Sequence, residues 1–150
     1  MDTSDTDDAD IDALVARLYA AFRTRGGALP PVDTLREVFL PEAVIVKAVG
    51  PMPEVFDVTR FIETRRAILA DGDLVDFDEW ELDARSERHG HVVHRWSLYR
   101  KVGTKTGVAF DVRGVKSLQC VATPDGWRIA SLTWDDARAG LSLPERWSAA

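Results

Sequence analysis

His94 is the residue of this sequence with the clearest potential for chemistry. It stands between Val92 and Trp96 in an alternating stretch and shares its parity with the apolar residues. An imidazole titrates near neutral pH and can serve as an acid, a base or a hydrogen-bond donor. We predict that His94 is the polar centre of a small-molecule pocket and the best single candidate for a catalytic residue. The alternative is a core histidine with one satisfied hydrogen bond.

The predicted register of the strands puts His94 beside small residues. A three-residue turn at 88–90 keeps even-numbered positions of both strands on one face, and Gly90 can adopt a positive φ there. Ala84 then lies opposite His94. A second tight turn near 103–105 would bring Gly114 to its other side. Small neighbours on both sides would leave room for a ligand.

Other polar residues interrupt apolar stretches of the predicted strands. Lys47 and Lys116 could hold a carboxylate at a pocket mouth, or point outward at an edge. Asp135 and Asp136 could rim the pocket, or cap the end of the last strand. The predicted ligand-binding set is His94, Trp96, Trp80, Tyr19, Lys47, Phe110 and Trp134.

Neither a metal nor a cofactor is expected. The acidic run that begins at Asp71 is spaced like a calcium loop, but its sixth and twelfth positions are Asp76 and Leu82 instead of glycine and glutamate. We interpret this run as a solvated turn. One cysteine, Cys120, excludes an internal disulfide and the usual cysteine zinc sites. The sequence has no phosphate loop, dinucleotide fingerprint or serine nucleophile motif.

Composition indicates one globular domain that does not bind nucleic acid. Six aspartates among the first twelve residues leave 19 acidic and 19 basic residues in the rest of the 150-residue chain. A nearly neutral body lacks the basic face of a nucleic-acid binder. No apolar run is long enough for a membrane span, and the acidic start is unlike a signal peptide. We therefore expect a cytoplasmic protein.

The hydrophobic pattern predicts three helices and then a run of strands. The helices are expected at 9–25, at a short segment begun by a capping box of Thr34 and Glu37, and from Asp57 to Gly72. A strand at 43–49 comes before the third helix. The last hairpin is expected to turn through three residues at 124–126. We predict a disordered acidic tail at 1–8, one α+β domain at 9–140 and a C-terminal tail at 141–150.

Two stretches carry a resemblance to a known family. These are VFLPEAVIV, where a helix passes into a strand, and RGVKSLQCVATPDGWRIASLTW, which spans the last hairpin. With the order of elements, they resemble the nuclear transport factor 2-like superfamily, and its SnoaL-like branch most. The resemblance implies a cone-shaped, cystatin-like fold, with three N-terminal helices packed on a curved antiparallel sheet and a ligand pocket on the concave face.

The resemblance also limits the function. The catalytic tyrosine and the two aspartates of a ketosteroid isomerase would fall at Leu18, Lys47 and Leu118, so chemistry of that kind is not expected. We predict a SnoaL-like small-molecule-binding protein, with acid–base activity of isomerase, cyclase or dehydratase type on an apolar ligand. The alternative is a non-catalytic dimeric module for protein interaction. Both parities of the last strands are apolar, which predicts a homodimer through the outer face of the sheet.

Overall fold

The computed structural model describes the backbone of residues 3–150 and the side chains from residue 7 onward. Three α-helices and six strands follow one another in the order α1, α2, β1, β2, α3, β3, β4, β5 and β6. Their bounds are α1 Thr3–Ala20, α2 Leu35–Val38, β1 Phe39–Lys47, β2 Glu54–Phe56, α3 Val58–Ala70, β3 Leu74–His89, β4 Val92–Lys105, β5 Val108–Thr123 and β6 Gly126–Asp136. Within the described residues, no helix has both the length and the apolar character that crossing a membrane requires.

The strands form one curved sheet in the order β2-β1-β6-β5-β4-β3, and the helices pack on its concave face. This confirms the predicted α+β class and its cone shape. One pairing departs from the prediction, because β1 runs parallel to β6 while every other adjacent pair is antiparallel. Bulges in the β1–β6, β3–β4 and β5–β6 pairings bend the strands and increase their twist.

Helix α1 begins six residues earlier than predicted. Residues 3–8, assigned to a disordered tail, are helical, and residues 1–2 of that tail lie outside the described residues. Asp7 anchors this end, since its carboxylate pairs with Arg88 at 2.6 Å and accepts a hydrogen bond from the indole of Trp127 at 3.2 Å. Acidic residues also interact favourably with the helix dipole at an N-terminus. The helix ends at Ala20, before the predicted glycine stop.

The predicted helix caps had different outcomes. Asp57 caps α3, as expected, and accepts a hydrogen bond from the backbone N–H of Arg60 at 2.8 Å. The predicted capping box at Thr34 is wrong. The Thr34 hydroxyl donates to the carbonyl of Pro31 at 2.6 Å and accepts no hydrogen bond from the N–H groups of the helix. Helix α2 is one short turn, as expected.

The turn between β3 and β4 has two residues instead of three. His89 pairs with Val92, so Gly90 and His91 form the loop. Gly90 occupies the first loop position with φ +55°, a conformation that suits two-residue hairpins. This shorter loop moves the odd-numbered residues of β4 to the concave face, and the predicted even set faces outward.

The β5–β6 hairpin also turns through two residues. Thr123 pairs with Gly126, so the three-residue turn is wrong. A bulge at Ala130 then restores the parity, and Leu118 pairs with Leu132 as predicted. Because of this bulge, Trp127 and Leu132 both face the core although their parities differ.

The C-terminal segment is ordered and packs on the outer side of the sheet. Trp147 is 5% exposed, and its indole N–H donates to the carboxylate of Asp83 at 2.8 Å. Leu143 and Pro144 line a shallow groove with Trp96 of β4. The outer face is therefore partly covered by the chain itself.

Gly114 lies where the packing of the sheet leaves no room for a side chain. A Cβ at this position would overlap the ring and hydroxyl of Tyr99 and lie 2.6 Å from the carbonyl oxygen of Asp135. Backbone atoms cannot yield as a flexible side chain can, so we expect Gly114→Ala to reduce the free energy of unfolding by about 3 kcal/mol. Urea unfolding measures this. Gly50→Ala is the matched control, since its Cβ would lie 3.8 Å from the nearest backbone atom. Equal losses in the two variants would contradict the packing described.

Candidate functional site

A central cavity of about 340 Å³ lies inside the cone, between the helices and the concave face of the sheet. Eleven of its lining residues are apolar and seven are charged. The apolar ones are Leu18, Phe22, Phe61, Ile68, Leu69, Leu74, Phe77, Phe110, Val112, Leu132 and Trp134. The charged ones are Lys47, Arg65, Glu79, Lys101, Lys105, Lys116 and Asp136. An apolar enclosure with a few polar groups is typical of small-molecule sites.

Three of the seven predicted ligand-binding residues line the central cavity. They are Lys47, Phe110 and Trp134. A fourth, Tyr19, is buried behind the wall and forms a hydrogen bond with Ser97 at 2.7 Å. The structure therefore brings part of the predicted set together.

The other three predicted residues lie outside the central cavity. His94 is exposed on the outer face, where its Nδ1 lies 3.0 Å from the side-chain amide of Gln119. Trp96 is on the same face, and Trp80 pairs with Arg100, whose guanidinium stacks over its ring at 5.4 Å. His94 as the pocket centre is wrong because the two-residue turn reverses the face of every residue in β4.

A buried ion pair stands on the concave wall. The ammonium of Lys116 lies 3.3 Å from the carboxylate of Glu79, and both side chains are almost fully buried. Three aromatic rings surround the ammonium, with the centroid of Tyr99 at 4.1 Å, that of Trp134 at 5.1 Å and that of Tyr19 at 5.3 Å. Burial lowers the pKa of Lys116, and Glu79 opposes this shift. A lysine in this setting carries a neutral amine more readily than an exposed one.

A second polar group joins β4 to the end of β6. The hydroxyl of Tyr99 donates to the carboxylate of Asp136 and lies 3.1 Å from the carbonyl oxygen of Asp135. Lys101 pairs with the other oxygen of Asp136 at 2.9 Å. Burial raises the pKa of Tyr99 and the charge of Asp136 raises it further, so the phenol keeps its proton.

A third polar group closes the inner end of the cone. Tyr19 donates to Ser97, which donates to the carboxylate of Glu81 at 2.6 Å. Arg95 binds Glu81 through its Nε at 3.1 Å and reaches Asp12 of α1 at 2.8 Å. Each of these side chains has a hydrogen-bond partner, so the network forms a rigid structural support.

Arg65 projects from α3 into the central cavity among aromatic rings. Its guanidinium carbon lies 4.6 Å from the ring centroid of Phe61, 5.2 Å from that of Phe56 and 5.8 Å from that of Trp134. Such contacts stabilise the cation through the face of the guanidinium. They leave the N–H donors, which lie in the plane of the guanidinium, free to bind another group. The head group of Arg65 is therefore part of the cavity wall.

Sequence reasoning missed most of the charged wall. The sequence leaves Lys116 and Asp136 open between a pocket role and the alternatives of an edge lysine and a strand cap, and it places Glu79 in the acidic run that we interpret as a solvated turn. A usable signal was present, because Glu79 and Glu81 share a parity in β3, and their cationic partners Lys101 and Arg95 share a parity in β4. Complementary charges on one parity indicate a polar interior face as well as they indicate a surface.

Metal ligation has no support in this geometry. Among the residues whose side chains are described, no group of three or more histidine, cysteine, aspartate or glutamate residues is arranged to hold a metal ion. The charged residues of the central cavity are instead mainly lysine and arginine.

Solved structures share this architecture at low sequence identity. A protein from Kribbella flavida superposes with a TM-score of 0.75 at 18% identity, covering 90% of this chain and 93% of that one. A nuclear transport factor 2-like superfamily protein from Salmonella enterica serovar Typhimurium gives 0.72 at 12% identity, covering 87% and 91%. The chain has the nuclear transport factor 2-like fold. A protein of the nuclear transport factor 2-like family from Streptomyces avermitilis, described as a proposed dehydratase, gives 0.69 at 16% identity, covering 90% and 99%.

These similarities establish the nuclear transport factor 2-like, cystatin-like fold that the sequence predicted. No protein-family model matches the sequence, and no curated protein sequence matches it. Because many activities share one fold, function has to be argued from the central cavity.

Proposed function

We propose that this nuclear transport factor 2-like chain binds a small, largely apolar molecule in the central cavity. The observation that carries the proposal is the cavity itself, which lies between the helices and the sheet and is partly open to solvent. Aromatic and aliphatic side chains line it, together with charged groups from the sheet and from α3. A purely structural core would be filled, as interiors normally are close-packed. The Streptomyces avermitilis protein, described as a proposed dehydratase, has the same fold at low sequence identity, which is compatible with this proposal.

We further propose that the buried ion pair of Lys116 and Glu79 gives the site acid–base activity of SnoaL-like type. Burial lowers the pKa of Lys116, so its ammonium loses a proton more readily than that of an exposed lysine, and the resulting amine can accept a proton from a ligand. In such a step the ligand's C–H bond breaks, its proton moves to the Lys116 nitrogen, and the electron pair stays on the ligand as an enolate. Tyr99, which keeps its proton, lies next to the ammonium.

Binding is tested with 2-tetralone, a neutral two-ring ketone. At about a hundred times its Kd, we expect the Tm to rise by about 5 °C, since a ligand that binds only the folded state stabilises it. Val112→Trp should abolish the rise in Tm, because the indole ring of the new side chain would occupy the cavity. His94→Ala should preserve it, as His94 lies on the outer face. A folded Val112→Trp variant that still responded fully would contradict the assignment of the site.

Proton transfer is tested with the same ketone in D2O. We expect the protein to accelerate deuterium incorporation next to the carbonyl, measured by ¹H NMR, and Lys116→Met to return the rate to that of buffer. His94→Ala should exchange like the original protein. If the original protein leaves the buffer rate unchanged, or if Lys116→Met remains active, the acid–base proposal is wrong.

The dimeric interaction module remains the second candidate. Its support is the outer face, where Val92 is 49% exposed and Trp96, Val115 and Val121 are only half-buried. The C-terminal segment reduces the apolar area left for a partner. For a homodimer through this face, light scattering at micromolar concentration should give twice the monomer mass, and Val92→Lys should reduce it. A monomeric mass for the unmodified chain would exclude the dimer.

A further inference from the structure

The charges of the central cavity do not balance. Five of its seven charged lining residues are cationic and two are carboxylates. Both carboxylates already have a partner, Glu79 with Lys116 and Asp136 with Lys101. The cavity wall therefore has cations in excess, which favours an anion in the enclosed space.

Arg65 is the excess cation that is held in position. It lies against three aromatic rings, at 4.6 to 5.8 Å from their centroids, and its side chain is half-buried. Among the residues whose side chains are described, no carboxylate lies within 4.0 Å of it. Its one side-chain hydrogen bond there is a long contact of 3.5 Å to the hydroxyl of Thr64. Most of its five N–H donors are thus free for a ligand.

Two other cations of the wall, Lys105 and Lys47, have no carboxylate partner within the described part of the chain, but they are less suited to this role. Lys105 is exposed and Lys47 is half-buried at the end of β1, so water solvates both more fully. Burial lowers the pKa of Arg65, and Glu54 and Glu79 counter this only at longer range. A desolvated cation without a close counter-ion gains more from an incoming anion than a solvated one does.

We propose that Arg65 is the anion subsite of the central cavity and that the natural ligand is a carboxylic acid with an apolar, ring-sized body. A planar guanidinium binds a carboxylate through two parallel N–H···O hydrogen bonds. The apolar body would then contact the aliphatic and aromatic wall formed by Leu132 and Phe110. This inference depends on the proposed binding function and adds the charge class of the ligand.

The test compares 2-naphthylacetate with 2-naphthylacetamide, which share size and rings but differ in charge. Isothermal titration calorimetry should show the acid binding about tenfold or more tightly to the unmodified protein. Arg65→Gln should remove that preference and leave the affinity for the amide within about twofold. Arg65→Lys should retain part of it, because an ammonium keeps the charge without the planar fork.

Arg66→Gln is the matched control, since Arg66 is the next residue of α3 and pairs with Asp33 on the surface. It should preserve the preference for the acid. Equal affinity for acid and amide in the unmodified protein, or a preference that survives in Arg65→Gln, would overturn the anion subsite while the binding function stood. Failure of both probes and of 2-tetralone to bind would overturn the binding function and the inference together.

Discussion

The buried ion pair of Lys116 and Glu79 is the interaction on which the interior of the cone depends. The two residues belong to β5 and β3, which are separated in the sheet by β4, and they meet only because the sheet is concave. Removing one partner from such a pair leaves the other charge buried, at a cost of about 3–5 kcal/mol. Curvature, register and side-chain chemistry are therefore coupled at this position, and an interior that tolerates charge also has room for a polar ligand group.

The local features of the fold were predictable from sequence because each depends on a few adjacent residues. The cap at Asp57, the third helix and the positions of both hairpin turns follow from side-chain capping, helical periodicity and glycine or proline in turns. The family resemblance then gave the overall architecture, which the structural comparisons confirm. The parallel pairing of β1 with β6, in contrast, required the tertiary structure.

The site was only partly predictable because side-chain facing in a strand has a period of two. The loop at Gly90 is one residue shorter than predicted. This difference reverses which residues of β4 face the cavity, so that His94 points outward and Tyr99 inward. The pattern of apolar residues in β4 did not decide between the two faces, because this strand contributes Lys101 and Lys105 to the cavity wall and Trp96 to the outer face. Lys47, Phe110 and Trp134 of the predicted set do line the central cavity, because their strands present these side chains to the concave face.

The bulges of β3 have a consequence for association between molecules. This strand is at one end of the sheet order, so one side of its backbone has no neighbouring strand. Exposed edges of that kind invite pairing with a second chain and, eventually, aggregation. Two register shifts interrupt β3, and charged residues such as Arg85, Glu87 and Arg88 follow along its outer half. The irregularities that help curve the cone thus also make its edge a poor template for another strand, so the geometry that gives the protein a cavity also disfavours edge-to-edge association.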